Sequence, residues 1–305
     1  MFLLTECLKK QLGQRLRKYE TAKRNSSMFT DRTLLIVTKH KKEQVIAPLF
    51  ETALGVRCMI AKSFDTDTLG TFTGEVERKD DPTTTARNKC LRAMELYHCD
   101  LAIASEGSFG AHPTLFFVPA DDELLCFIDK RNNLEILARE VSLETNFDGE
   151  EIRNEKQLQD FAMRVKFPAH GVIIRKSKED ISDMIKGITD WTQLTTGFNL
   201  LLEKYRSVYI ETDMRAMYNP TRMKVIESAA HKLVKRIISC CPHCHAPGFG
   251  ITDVKSGLPC KLCGSATRAT LSHLYQCQKC SFMKEEKYPN HLFTEDPSHC
   301  DRCNP

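Results

Sequence analysis

The chain has 305 residues, of which 28% are charged and 41% hydrophobic, and its formal net charge at pH 7 is +4. Such values are typical of a globular protein with one substantial domain and a smaller one, and so mild a charge does not by itself indicate nucleic-acid binding. No stretch approaches the roughly 20 apolar residues of a membrane span, and residues 1–4 are too short an apolar run for a signal peptide. We therefore expect a cytoplasmic protein with no membrane partner.

Residues 1–28 are predicted to form a basic amphipathic helix or extension. Leucine recurs at every fourth position from Leu4 to Leu16, and lysines and arginines fill the other faces. Such a helix could dock on the body of the protein or bind a partner, and we expect a solvated peripheral helix.

From residue 29 the chain alternates between apolar runs and amphipathic segments. Residues 33–37 predict a strand, residues 45–53 a helix that ends at Gly55, and residues 56–60 a second strand. This βαβ order predicts a sheet with helices on its faces. A polar loop over residues 62–82 follows, and it is rich in acidic side chains.

The stretch over residues 81–110 is predicted to deliver a carboxylate to a functional site. Asp81 and the proline after it are a helix-start signal, and residues 101–104 form a short apolar run of the buried-strand type. Glu106 follows in what we interpret as a glycine loop with Gly107 and Gly110. The carboxyl end of a buried strand is where open α/β sheets place their chemistry, so helix start and strand end could bring Asp81 and Glu106 together.

The remaining segments continue the α/β pattern up to residue 238. An acidic turn over residues 121–123 separates two strand-like runs, and the last long helix begins at Asn219-Pro220. The predicted strands cover residues 115–118, 124–128, 134–141, 172–174 and 208–210, and the other predicted helices cover residues 155–166 and 191–205.

Four short motifs lie along this region in a recognisable order. They are Thr38-Lys39-His40-Lys41-Lys42 after the first strand, Asp81 seven positions ahead of Asn88-Lys89, Ala104-Ser105-Glu106-Gly107 at a strand end, and Thr221-Arg222 at a helix head. Together they resemble the superfamily of inosine and xanthosine triphosphatases and Maf-like proteins, over about residues 31–238. Lys39 and Lys89 depart from it, since that superfamily has Asn and Arg there. The whole chain also resembles an uncharacterised bacterial family of unknown function.

This resemblance implies an α/β fold over residues 29–238, with a mixed twisted sheet and flanking helices, and a nucleotide or other phosphate-bearing small molecule as substrate. Asp81 and Glu106 would hold a catalytic Mg²⁺, with Glu75 or Glu77 as further candidates, and Glu106 is an alternative general base. The implied phosphate-binding residues are Thr38, Lys39, Lys42, Asn88, Lys89, Thr221 and Arg222. The structural alternative is that Asp81 only caps a helix and Glu106 only lies in a loop.

The cysteines divide the chain into two parts. Five of the 14 are scattered before residue 240, where we expect buried thiols in a reducing compartment, and nine follow. The tail over residues 239–305 contains four C-x-x-C pairs, and this spacing lets both thiolates of a pair bind one ion. Eight thiolates fill two tetrahedral sites, so we expect two structural Zn²⁺ ions in a small zinc-ribbon domain. Iron–sulfur clusters are the alternative. The predicted ligands are Cys241, Cys244, Cys260, Cys263, Cys277, Cys280, Cys300 and Cys303.

Two ways of combining the four C-x-x-C pairs, which we call knuckles, into two metal sites stay open. Consecutive pairing joins Cys241/Cys244 to Cys260/Cys263 and the last two pairs to each other. Nested pairing joins the middle two pairs, whose sequence resembles a zinc ribbon, and leaves the outer two to meet; we favour it slightly.

Two function classes therefore compete. The first is a Mg²⁺-dependent hydrolase of nucleoside triphosphates or related phosphoanhydrides. The second is a non-catalytic protein that binds nucleic acid, protein or a phosphate-bearing ligand, with the zinc ribbons as its contact surface. Phosphate release from a panel of nucleotides would discriminate between them.

Overall fold

A computed structural model describes residues 28–64, 80–180 and 182–305 of the chain. The predicted N-terminal helix and the loop acids Glu75 and Glu77 lie outside these residues. The structure divides into one unit over Phe29–Val234 and another that includes Lys235–Pro305. Among the helices of the described ranges, none is long and apolar enough to cross a membrane.

The first unit begins with a five-stranded sheet in the order β2-β1-β3-β4-β5. Strand β1 is parallel to β2 and β3, whereas β3, β4 and β5 run antiparallel to one another, so the sheet is mixed as predicted. Its elements are β1 Thr33–Val37, α1 Glu43–Leu54, β2 Arg57–Ile60, α2 Pro82–Leu96, β3 Leu101–Ala111, β4 Pro119–Asp129 and β5 Leu134–Ser142.

The two faces of this sheet are covered by different helices. Helix α2 packs its buried Ala86, Cys90 and Ala93 against one face, which includes Ala102 and Ala104 of β3. On the opposite face, Phe127 of β4 contacts the rings of Phe29 and of Phe50, which lies on α1. Because side chains alternate along a strand, neighbouring residues of β3 and β4 face different helices.

A second, four-stranded antiparallel sheet has the order β6-β9-β7-β8. Leu158 and Phe161 of α3 and Leu194 and Phe198 of α4 share a buried core with these strands. The prediction of one sheet for the whole region was therefore incomplete. The elements are β6 Gly149–Ile152, α3 Glu155–Arg164, β7 Val172–Arg175, β8 Ile185–Ile188, α4 Trp191–Tyr205, β9 Val208–Thr212 and α5 Pro220–Ile238.

Two details of the first sheet differ from the sequence prediction. Strand β3 does not end at Ala104 but continues to Ala111, because β4 pairs with it along its full length, so Glu106 lies within a strand and not in a loop. The predicted acidic turn over residues 121–123 is the beginning of β4, and residues 115–118 form no strand. Backbone pairing between long antiparallel strands overrides the turn propensity of glycine and aspartate.

The second unit contains a three-stranded antiparallel sheet in the order β10-β11-β12. Gly250 of β10 pairs with Gln276 of β11, and Gln276 also pairs with Met283 of β12, so these three residues mark one end of the sheet. The elements are β10 Gly250–Ser256, β11 Thr270–Gln276 and β12 Met283–Lys287.

Candidate functional site

The candidate site in the first unit lies where β1 stops. Val37, the last residue of β1, pairs with Ala104, so β3 from Ser105 onward extends past its parallel neighbour. Lys42, at the head of α1, reaches this position: its Nζ donates to Ser105 Oγ at 3.0 Å and lies 3.7 Å from Glu123 Oε2. A cation thus occupies the carboxyl end of a parallel strand, the usual location of ligand sites in such sheets.

Arg222 on the first turn of α5 forms an ion pair with Glu123 of β4. Its Nε lies 2.6 Å from Glu123 Oε1, and both side chains are 0% exposed. The guanidinium also donates through Nη1 to the Met214 carbonyl and lies 4.9 Å from the Phe109 ring centroid. Asn219 accepts the Arg222 N–H at 3.0 Å, which caps the helix and fixes the arginine backbone.

Gly107 leaves the space that the Arg222–Glu123 pair occupies. A Cβ atom on this residue would lie 2.3 Å from Glu123 Oε1 and 2.5 Å from Arg222 Nη2. Gly107 also pairs directly with Glu123 across the β3–β4 ladder. Glycine is therefore required here by close approach of side chains and not by backbone conformation.

Lys89 and Glu106 form a second buried ion pair, on the α2 face of the sheet. Glu106 follows Ala102 and Ala104 in the alternation of β3, and Lys89 follows Ala86 on α2. Both residues still act electrostatically on Lys42, since Glu106 raises the pKa of that lysine and Lys89 lowers it. The charges of the two faces are therefore close enough to form one cluster across the end of β1.

Burial lowers the pKa of Lys42 to about 8. Glu123 opposes this shift, and the positive charge of Arg222 adds to it. A lysine with this pKa is still mostly charged at pH 7 and only half charged near pH 8, and a further anion beside it would favour the charged form.

Asp121 is the unexpected member of the site. Its carboxyl group is fully buried, and neither oxygen has a hydrogen-bond partner within the part of the chain that the structure describes. Burial and then the charge of Glu123 raise its pKa to about 8, although Arg222 and Lys42 oppose the shift. It lies on the buried face of β4, since alternate residues from Asp121 to Asp129 share one face and are all buried. We refer to Lys42, Lys89, Glu106, Asp121, Glu123 and Arg222 as the charge cluster.

The structure brings four of the predicted residues into the charge cluster, namely Lys42, Lys89, Glu106 and Arg222. The other predicted residues bind elsewhere. Asp81 is exposed and caps α2 by accepting hydrogen bonds from the Thr83 and Thr84 amides. The hydrogen bond from the Thr84 hydroxyl, followed by those from the amides, lowers the pKa of Asp81. Asn88 donates to Asp80 at 3.4 Å, Thr38 donates to the Lys39 carbonyl at 3.0 Å, and Thr221 bonds His170 Nε2 at 2.9 Å. Lys39 is half-buried in the turn after β1.

A cleft of about 680 Å³ is lined in part by residues adjacent in sequence to members of the charge cluster. Pro119 on its wall lies on the same strand as Asp121, two residues earlier, and Thr221 on its wall directly precedes Arg222. Phe147, Lys166 and Lys224 line other parts of the cleft. The cleft is therefore lined by residues of β4 and α5, which also carry members of the cluster, although no cluster residue itself lines it.

The cysteine knuckles of the second unit are interleaved. Cys241 and Cys244 lie with Cys277 and Cys280, and Cys260 and Cys263 lie with Cys300 and Cys303. We call these groups the first and the second cysteine site. Both predicted pairings, nested and consecutive, were wrong.

Strand pairing explains the interleaving. The first knuckle precedes β10 and the third joins β11 to β12, so the pairing of Gly250 with Gln276 brings both to one end of the sheet. The second knuckle lies between β10 and β11, at the opposite end, where its Cys260 bridges to Glu295 ahead of the fourth knuckle. Since β10 has seven residues, about 20 Å separates the two ends.

The sulfur atoms have the spacing of a tetrahedral zinc site. The Sγ···Sγ distances are 3.6 and 3.7 Å in the first site and 3.7 and 3.9 Å in the second. A tetrahedron with Zn–S bonds of about 2.3 Å requires about 3.8 Å between sulfurs, whereas a disulfide requires about 2.05 Å. Both groups could thus hold Zn²⁺, and four thiolates would leave no open position on the metal.

The knuckles repeat one backbone conformation. In each, the amide four residues after the first cysteine donates to the carbonyl of that cysteine, as Ser281 does to Cys277 at 3.0 Å. That residue has a left-handed φ in three of them, with His245 at 60°, Gly264 at 69° and Ser281 at 57°. Amides two residues after the first cysteine also donate to its sulfur in these three, at 3.4 Å. Such donors favour a thiolate, the form that binds metal.

Comparison with known proteins gives a family but no activity. No curated protein matches the sequence. The model of the family described as Domain of unknown function (DUF6671) matches residues 89–305, which include five members of the charge cluster and all eight site cysteines, whereas Lys42 and Asp81 precede the match. Because this match spans more than two thirds of the chain, the protein belongs to the DUF6671 family.

Proposed function

We propose that the first unit is a Mg²⁺-dependent hydrolase of nucleoside triphosphates or related phosphoanhydrides. The observation that supports this proposal is that Lys42, Lys89 and Arg222, at three different helices, meet the carboxylates of Glu106 and Glu123 near the end of β1. Cations arranged in this way stabilise the negative charge of a phosphate chain during its cleavage.

Carboxylates of the cluster pair with the same cations that a phosphate chain would contact. Lys89 is paired with Glu106, and Arg222 with Glu123. Buried ion pairs contribute little to stability once their desolvation is counted, so their presence needs another explanation. A bound phosphate chain would supply the additional anion that the lowered pKa of Lys42 favours.

Glu106 is the proposed general base. The oxygen of a water molecule forms a bond to phosphorus and its proton passes to Glu106, while the bridging P–O bond breaks and its electron pair leaves with the departing phosphate. Mg²⁺ would neutralise phosphate charge and lower the pKa of the attacking water. Carboxylates of the cluster have the oxygen chemistry that Mg²⁺ prefers, so the residues fit this ion.

Asp81 remains a proposed ligand for Mg²⁺, in addition to the carboxylates of the charge cluster. It lies eight residues ahead of Lys89 on the same helix, which corresponds to about 12 Å along the helix axis. Its carboxylate would have to exchange its capping bonds for the ion or act through a water molecule.

The resemblance to inosine and xanthosine triphosphatases supports a purine nucleotide as substrate. The cleft has the volume of a typical small-molecule site. We also propose that residues 29–238 share the fold of that superfamily. In the second unit, Zn²⁺ at the two cysteine sites would be structural, because four thiolates saturate a tetrahedral ion.

The proposal is tested with zinc-loaded full-length protein and Mg²⁺. Release of phosphate and pyrophosphate is measured from a panel of canonical and non-canonical nucleoside triphosphates. We expect turnover of at least one, and a loss of about 100-fold or more in Glu106→Gln. Glu140→Gln is the matched control, since Glu140 pairs with Lys232 outside the cluster.

The contradicting results are equally specific. Absence of turnover with any substrate, or equal turnover in Glu106→Gln, overturns the hydrolase. Salt-sensitive binding of RNA or DNA without turnover would favour the non-catalytic alternative instead.

A further inference from the structure

Three buried oxygen atoms of β4 have no hydrogen-bond partner among the described residues. They are Oδ1 and Oδ2 of Asp121 and Oε2 of Glu123. Asp121 and Glu123 are two residues apart in a strand, so both side chains project from the same face. Buried polar atoms are almost always hydrogen-bonded, and three orphaned acceptors in one place require an explanation.

The chemistry of these atoms selects the kind of partner. A carboxylate only accepts hydrogen bonds, so an anion or a further carbonyl cannot satisfy it. One proton shared between the two groups would leave at least one oxygen without a partner. The cations nearby are committed elsewhere, because Lys42 Nζ donates to Ser105 and lies 3.7 Å from Glu123, and Arg222 Nε binds the other oxygen of Glu123.

The geometry points to a divalent-cation site formed by Asp121 and Glu123. This inference rests on the proposed function, to which it adds the residues that hold the metal. Carboxylate oxygens favour Mg²⁺, Mn²⁺ or Ca²⁺, whereas Zn²⁺ is taken by the thiolates of the cysteine sites. The three acceptors would become ligands, and water or phosphate oxygens would complete the coordination.

The charges of the cluster make metal and phosphate binding depend on each other. Three cations and three carboxylates balance when all are ionised, so a bound dication alone leaves an excess of positive charge in a buried space. A phosphate group removes this excess. We therefore expect the cation and an anionic phosphate to bind together more tightly than either binds alone.

The cleft is lined in part by residues that are close in sequence to the site. Pro119, on its wall, lies on the strand face of Asp121 and Glu123, and Thr221, also on its wall, is adjacent in sequence to Arg222.

The experiment measures Mn²⁺ binding to zinc-loaded full-length protein by electron paramagnetic resonance, with and without inorganic phosphate. Wild-type protein should bind about one Mn²⁺ per chain beyond the zinc content, with an affinity that phosphate increases. Asp121→Asn should weaken Mn²⁺ binding by about tenfold or more. Asp122→Asn is the matched control, since this neighbour points to the other face and pairs with Arg139.

Thermal unfolding of each variant establishes that it is folded, and a rise of Tm with Mn²⁺ in the wild type but not in Asp121→Asn gives a second readout. Equal Mn²⁺ binding in Asp121→Asn and wild type, or no binding to either, overturns the site. Mn²⁺ binding that depends on Asp121 without nucleotide turnover would contradict the hydrolase but support the site. Turnover and Mn²⁺ binding that are both unaffected by Asp121→Asn would support the hydrolase but contradict the cation site.

Discussion

At the scale of single residues, Asp121 opposes the stability of the fold. In water its carboxyl group ionises near pH 4, but burial raises its pKa in the folded protein to about 8. The folded state therefore retains a proton that the unfolded state has released. Below about pH 4 both states are protonated and burial of this group carries no ionisation cost. As the pH rises from there to about 8, the free energy of unfolding falls progressively.

Asp121→Asn should consequently stabilise metal-free protein, and more strongly at pH 8 than at pH 5. An asparagine cannot ionise, so it avoids the penalty that grows in this pH window. We expect its advantage in the free energy of unfolding to increase by about 4 kcal/mol between these two pH values. Urea unfolding of the zinc-loaded protein at both pH values gives the measurement.

Asp122→Asn is the control for this pH series, because Asp122 is paired with Arg139 at the surface. Its effect should not grow from pH 5 to pH 8. An Asp121→Asn difference that stays constant with pH would show that Asp121 is ionised in the folded protein throughout. The titration of Lys42, whose pKa is lowered to about 8, acts mainly above this window.

Asp81 has one observed role, as a helix cap, and one proposed role in Mg²⁺ binding, and two substitutions separate them. Its side chain caps α2, and asparagine caps a helix about as well as aspartate, whereas alanine does not. Asp81→Ala should therefore lose about 1 kcal/mol of stability, while Asp81→Asn stays within about 0.5 kcal/mol of wild type. The proposed role in Mg²⁺ binding predicts that both variants lose turnover. Full turnover in Asp81→Asn would restrict Asp81 to the cap.

At the scale of elements, the β3–β4 pair determines where the charge cluster forms. Gly107 faces Glu123 across this pair, and the space that it leaves holds the Glu123–Arg222 ion pair. The Glu123–Arg222 ion pair in turn connects the centre of the sheet to the first turn of α5. One glycine thus couples the packing of a strand to the position of a buried arginine.

Gly107→Ala should destabilise the protein by about 2–3 kcal/mol, because the new methyl group would overlap Glu123 and Arg222. Gly110→Ala is the matched control on the same strand, since no atom of the described residues lies within 4 Å of the position that its new methyl group would take. We expect the control to be neutral or slightly stabilising. Chemical denaturation of both variants provides the comparison, and equal stabilities would contradict the close approach at Gly107.

The same two strands show what the sequence could predict. The pattern of residues 33–37 and 81–104 indicated β1, α2 and the beginning of β3, because these segments have local apolar periodicity. The resemblance to inosine and xanthosine triphosphatases predicted Lys42, Lys89, Glu106 and Arg222 as site residues, together with others that lie elsewhere in the structure. Asp121 and Glu123 were missed because three consecutive acidic residues are typical of a turn, and only pairing with distant strands places them in a core. Burial that depends on such non-local contacts has no signature in the local sequence.

At the scale of the whole molecule, the second unit combines a small apolar cluster with two cysteine sites that could hold metal. Its buried cluster consists of Cys241, Ala246, Phe249 and Cys277. So small a cluster stabilises a fold only weakly, and Zn²⁺ at the two cysteine sites would supply further free energy of folding. The predicted ligands fit two zinc sites, but their pairing was not predictable, since it follows from strand register and not from the C-x-x-C spacing.

Interleaving makes a prediction that neither alternative pairing shares. Cys300→Ser removes a ligand from the second cysteine site, so its partners Cys260 and Cys263 should become reactive towards a thiol alkylating reagent. Cys241, Cys244, Cys277 and Cys280 should stay protected, and zinc content should fall from two ions to about one. Mass spectrometry of the alkylated peptides identifies the reactive thiols. Nested pairing would instead expose Cys241 and Cys244, and consecutive pairing Cys277 and Cys280. Each pairing predicts labelling of a different pair of cysteines outside the mutated knuckle, so one labelling experiment decides among all three. Cys240→Ser is the control: it removes a thiol outside both sites and should leave the labelling of the site cysteines unchanged.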